Sequence, residues 1–119
     1  EYSDVYNKMK KIISDCKEHG ISKVTLTDDE WIRFMAEIEK TGILSKLAVE
    51  YKFSKNETRY CYLLFTDFSI KERMQILKIA HATLYRTEQR ICKKMNVPYQ
   101  ANELQKLLKS IINSTLTDV

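Results

Sequence analysis

The sequence predicts an all-α fold, on three observations. Its 119 residues hold only two glycines and one proline, too few turn formers for a sheet, which needs them every few positions. Three capping boxes stand at Thr27/Glu30, Ser54/Glu57 and Ser69/Glu72. In each, the hydroxyl accepts an orphan helix N–H and the glutamate reaches back to the N–H of the cap residue. Apolar residues recur at intervals of three and four, which is one face of a helix. A mix of 44% hydrophobic and 30% charged residues is that of an ordinary globular domain, long enough for one modest core.

The first helix is expected over 4–19. Tyr2, Val5, Met9, Ile12, Cys16 and His19 follow the a/d rhythm of a coiled coil for under three heptads. That stripe fits a dimerising or signal-transmitting helix arriving from upstream, or a helix laid on the domain's own core. Gly20 stops it, and 21–26 form a linker. Thr27 opens a helix over 28–40 with Trp31, Phe34, Met35 and Ile38 inward, closed by Gly42. Asp28, Asp29 and Glu30 stand in its first turn, where the helix dipole favours acids. A shorter helix over 43–52 buries Leu44, Leu47, Ala48 and Tyr51.

Ser54 opens the next helix, which runs to about residue 66 and carries Tyr60, Cys61, Leu64 and Phe65; Phe68 closes the core beneath the turn that follows. Past Pro98, which bars continuation, the last helix covers 101–113. Its apolar face (Leu104, Leu107, Leu108, Ile111 and Ile112) is wider than a surface helix needs. A dimer contact or packing on the 28–52 pair would each absorb the excess. Residues 114–119 are expected to fray. The chain thus divides into 1–26, 27–53, 54–113 and a tail, 114–119.

The organising stretch is 69–97. Ser69 caps a helix of about two turns with Ile70, Met74 and Leu77 on one face, and Lys78-Ile79-Ala80 form the turn, Ile79 pinning it to the core. The following helix, about 81–95, turns Leu84, Ile91 and Met95 inward at roughly 100° per residue. Ala82, Tyr85, Arg86, Gln89 and Lys93 lie opposite, flanked by Thr83, Arg90 and Lys94. The stretch carries seven Lys/Arg against Glu72 and Glu88, a net +5 in a chain of net +4. All the net positive charge sits here, as binding to phosphate backbones requires. Arg86 suits the guanine edge and Gln89 the adenine edge, each bidentately. A solvated cationic face on an ordinary bundle helix has the same spacing.

The stretch resembles the LuxR/GerE-type helix-turn-helix, without a gap over its twenty-nine positions. The matching features are Ser69, Lys71-Glu72, Leu77, Ile79, Thr83-Leu84 in place of the family's Thr-Val, Ile91, Lys93-Lys94, Met95 and Val97. The resemblance implies a four-helix LuxR-like domain, preceded here by the N-terminal helix and the helical pair. Its third helix would enter the DNA major groove, with Tyr85, Arg86 and Gln89 meeting bases. Lys71, Thr83, Arg90, Lys93 and Lys94 would hold phosphates, and the last helix often supports a homodimer. The segment 26–31 and the pair after it resemble the C-terminal ends of certain bacterial sensor regulators. Four residues depart from the pattern: Ala80 at a usual Ser/Thr cap, Asp67 at a common helix-ending glycine, Arg73 at a usual isoleucine, and Glu88. The last lies about 40° from Leu84, near the buried edge.

Enzyme chemistry finds no foothold. No Gly-rich phosphate loop, G-x-S-x-G or H-E-x-x-H motif is present, and no nucleophile–base pair can be nominated. Cys16-x-x-His19 lacks the second pair a zinc site needs, so no metal or cofactor is expected. Cys16, Cys61 and Cys92 are odd in number and widely spaced, as reduced thiols in a cytoplasmic protein would be. No apolar run approaches a membrane span. The first residue, Glu1, suggests a part of a longer protein with its sensor upstream. The expected function is therefore a sequence-specific DNA-binding domain of a bacterial regulator with double-stranded DNA as partner. The alternative is a helical dimerisation or protein-interaction module with a degenerate helix-turn-helix, using the stripes at 2–19 and 104–112, with acidic protein instead of DNA meeting the basic face.

Overall fold

The computed structural model describes residues 3–117; Tyr2 and positions 118 and 119 of the expected tail lie outside the described residues. Seven helices follow one another there, with no strand among the described residues: α1 (Asp4–His19), α2 (Asp28–Ile38), α3 (Ile43–Glu50), α4 (Lys55–Leu63), α5 (Ile70–Leu77), α6 (His81–Lys94) and α7 (Leu104–Thr117). The fold is all-α. None of these helices is long and apolar enough to cross a membrane.

The capping boxes start three of the helices. Glu30 N–H donates to Thr27 Oγ1 at 3.2 Å and Thr27 N–H to Glu30 Oε1 at 2.8 Å. Ser54/Glu57 and Ser69/Glu72 repeat the pattern. Gly20 ends α1 in the left-handed region at φ 77°, its N–H on Cys16 O, a conformation that costs glycine little.

Several ends differ from expectation. α2 stops at Ile38, because the Glu39 carboxylate accepts the Thr41 and Leu44 amides and folds the chain back. Gly42, expected to close α2, is instead the left-handed N-cap of α3. α4 ends at Leu63, and tighter i→i+3 bonds carry residues 64–66. Asp67 is not among the left-handed residues; the Thr66 hydroxyl, bonded to Leu63 O and Phe68 N–H, shapes the exit instead. α7 begins at Leu104, after a turn with Asn102 at φ 67°. It runs on through Thr117, so 114–117 are helical where fraying was expected.

One apolar core draws on all seven helices. α1 packs on α5 and α2, and Val5, Met9 and Ile12 are essentially fully buried. The middle of the α1 stripe is thus packed on the chain's own core, while Cys16 is half-buried and His19 exposed. α2 is tied to α4 by Arg59, whose guanidinium lies 5.0 Å from the Trp31 ring centroid and donates to Asp28 Oδ1 at 2.7 Å. α7 packs on α3, burying Leu104, Leu108 and Ile112 and half-burying Leu107 and Ile111. Of the expected helical pair, it is the second helix, α3, that takes this face.

Candidate nucleic-acid interface

α5 and α6 are joined by the three residues 78–80. Lys78 does what a glycine usually does there, taking φ 57°, ψ 46°. Its Nζ donates to Ser22 O at 2.9 Å, a bond that helps offset the cost of a left-handed non-glycine residue. Ile79 is half-buried against the core. Ala80 is extended and gives α6 no side-chain cap, so this residue offers no side-chain acceptor to the first-turn amides of α6.

The inward faces carry more polarity than spacing predicts. On α5 the deepest residues are Ile76 and Arg73, while Ile70, Met74 and Leu77 are only half-buried. On α6, Leu84 and Ile91 are joined by Thr87, Glu88 and Cys92, with Met95 buried at the cap. Arg73 is tolerated inside because its Nη1 donates to Phe68 O at 2.9 Å and its guanidinium lies 5.7 Å from the Tyr60 ring centroid. Glu88 is tolerated because the Tyr60 hydroxyl donates to one carboxylate oxygen and the Tyr99 hydroxyl to the other, at 3.0 Å. Two departures from the resembled pattern, fifteen residues apart, thus lie on either side of one tyrosine, Tyr60. Burial, then the bond to Glu88, pushes the Tyr99 hydroxyl up to about 12 and raises Tyr60 further.

The outward face of α6 bears Ala82, Tyr85, Arg86, Gln89 and Lys93, all exposed, with Arg90 beside them. Tyr85 is 38% exposed, and the His81 ring stands 4.5 Å from it, centroid to centroid. Among the described residues, Arg86 reaches only the Thr83 hydroxyl, at 3.4 Å. Among the described residues, no carboxylate pairs with Arg86, Arg90 or Lys93. Half-buried Thr83 lines a cavity of about 120 Å³ together with Arg90, Ser54 and Asn56. Lys71 is exposed on α5. Lys94 differs from the rest: its Nζ is 2.5 Å from Glu57 Oε1 and 3.0 Å from Lys52 O, so its charge is already engaged inside the molecule.

The face therefore brings Tyr85, Arg86, Gln89, Arg90 and Lys93 onto one helix surface, with Lys71 on the neighbouring helix and Lys94 turned toward α4. His81, in the first turn of α6 where an exposed role or a phosphate contact is expected of it, joins the face through its ring contact with Tyr85, an i, i+4 pairing. The Tyr60 and Tyr99 contacts had no local signal. Comparison with protein-family models, curated proteins and solved structures gives no match, so the function of this face rests on its own geometry.

Proposed function

We propose that this chain is a DNA-binding domain of the LuxR/GerE kind, with α6 entering the major groove. The observation that carries the reading is the outward face of α6. It offers two arginines, a lysine, a glutamine and a tyrosine to solvent, with no acid of the described residues neutralising the three cations. Unpaired guanidinium and ammonium groups on a helix held by its opposite face are what groove reading requires. In this reading Tyr85, Arg86 and Gln89 meet base edges. Lys71, Thr83, Arg90 and Lys93 meet phosphates, and Lys94 contributes at the margin while keeping its bond to Glu57. A homodimer on two half-sites enters this reading through the resemblance alone, and sedimentation of the protein on one-site and two-site duplexes tests it. The protein-interaction alternative relied on the stripes at 2–19 and 104–112. Its stripes lose ground because Val5, Met9, Ile12, Leu104, Leu108 and Ile112 are all buried, and its other part, an acidic protein on the basic face, is tested by the titration below.

The test is an amide NMR titration of labelled protein with mixed-sequence duplex DNA, at low and then higher salt. Non-specific binding with Kd of roughly 10⁻⁴–10⁻⁶ M is within its reach. Shifts concentrated at 81–94 and reversed by salt support the reading. Motionless α6 amides at saturating DNA overturn it.

A further inference from the structure

Glu88 is the least expected residue of the inward side of α6, and it is held at both carboxylate oxygens. It is 7% exposed, and each carboxylate oxygen accepts a tyrosine hydroxyl, Tyr60 from α4 and Tyr99 from the connection after α6. Arg73 of α5 completes the chain across the Tyr60 ring. Four side chains from four successive parts of the fold therefore converge on the inward side of α6.

Stability alone is a poor reason for such a chain. Taking an arginine and a carboxylate out of water is costly, and well-packed apolar residues often serve as well. The network is also incomplete, because Arg73 Nε meets no acceptor among the described residues. What hydrogen bonds supply and apolar contacts do not is direction. Leu84, Ile91 and Met95 hold α6 on the common core, but greasy contacts tolerate some rotation of a helix about its axis. Two hydroxyls gripping both oxygens of one carboxylate do not.

Because Glu88 directly precedes Gln89, any roll at Glu88 moves the whole outward face. We infer that Glu88 is a positioning residue that sets the roll of α6, and that Tyr99 couples this roll to the connection leading into α7. The coupling to DNA rests on the reading of α6 given above; the positioning does not. A shift of α7 on α3, or a partner seated on the 96–103 connection, is then felt at Tyr85, Arg86 and Gln89 through a single hydroxyl.

Two variants test this. Tyr99→Phe removes one hydroxyl and keeps the ring; Glu88→Gln keeps the shape and removes the charge. Residual dipolar couplings of DNA-free protein report helix orientation directly, and duplex binding to a selected site and to random sequence reports reading. In Tyr99→Phe, the couplings of α6 should change while those of α1 and α2 hold. The ratio of selected to random affinity should fall by about 2- to 30-fold with an unaltered salt slope. A merely structural role would lower both affinities equally and leave the couplings in place, and that result overturns the inference. Should Glu88→Gln fail to fold, Tyr99→Phe still decides. Altered α6 couplings in a protein whose parent binds no duplex would support the positioning role and overturn the DNA reading alone.

Discussion

Lys94 Nζ and Glu57 Oε1 stand 2.5 Å apart, joining the last turn of α6 to the first turn of α4. Glu57 is also the back-reaching acid of the Ser54 capping box. One carboxylate thus caps α4 and anchors α6. Burial alone would raise its pKa, but the Lys94 ammonium and the Ser54 amide outweigh burial and hold it below 4.5. Since the folded value is depressed, the stability it brings is present above about pH 4.5 and is lost as pH falls through the folded value. Lys94→Ala should cost roughly 1–2 kcal/mol, allowing for partial solvent screening, and raise the acid-unfolding midpoint. Urea melts at neutral and acid pH check both; an unchanged acid midpoint would refute the anchoring role.

Arg86, Arg90 and Lys93 carry no such internal duty. Arg86→Ala should relax sequence preference by about 1–3 kcal/mol, while Lys93→Ala should weaken all sequences alike and flatten the salt slope by about one. Binding titrations on selected and random duplexes over a salt series separate the two behaviours. Equal losses on both duplexes for Arg86→Ala would remove it from the base-reading set.

Ala80 occupies an N-cap in extended geometry, φ −76° and ψ 161°, with no side-chain bond to the helix. That backbone already suits a serine hydroxyl on the N–H two or three residues on. Ala80→Ser should raise stability by about 1 kcal/mol, seen as a higher urea midpoint with the same slope. No gain would mean those amides already have partners.

α1 tests whether its stripe belongs to the core. Met9 is fully buried, so Met9→Ala should cost about 2–5 kcal/mol, and the loss should not depend on protein concentration. A concentration-dependent melting temperature in the parent, abolished by the substitution, would instead make α1 a dimer seam.

Most helices were legible because their signals are local. A hydroxyl and a glutamate three residues apart announce a start, and Thr27, Ser54 and Ser69 all behave accordingly. Ends were read less well, because the residues that set them are not the usual ones. Glu39 folds back on Thr41 and Leu44, and Lys52, Lys78, Asn96 and Asn102 take left-handed turns without glycine. The outward face of α6 followed from angle alone. Its inward partners did not, since Tyr60 and Glu88 lie twenty-eight residues apart and nothing in either neighbourhood announces the other. The engagement of Lys94 was hidden for the same reason. A lysine on a helix wheel shows its direction, not what stands there.

The tyrosines give the alkaline behaviour a definite sign. Burial is the first cause raising both Tyr60 and Tyr99, and the hydrogen bond to Glu88 the second. A phenolate would lose its donated proton and face a carboxylate, so ionisation must break the chain. The folded values therefore lie above the ordinary value of 10.0, Tyr99 at about 12. A group whose folded pKa is raised stabilises fully below its unfolded pKa and loses that contribution as pH rises toward the folded value. Stability should hold up to about pH 10 and then fall. Tyr99→Phe should start lower and fall less steeply, having one fewer phenol of raised pKa to ionise. Urea midpoints across that range, with tyrosinate absorbance followed in parallel, decide it. Identical alkaline slopes in parent and variant would show that Tyr99 is not held by Glu88.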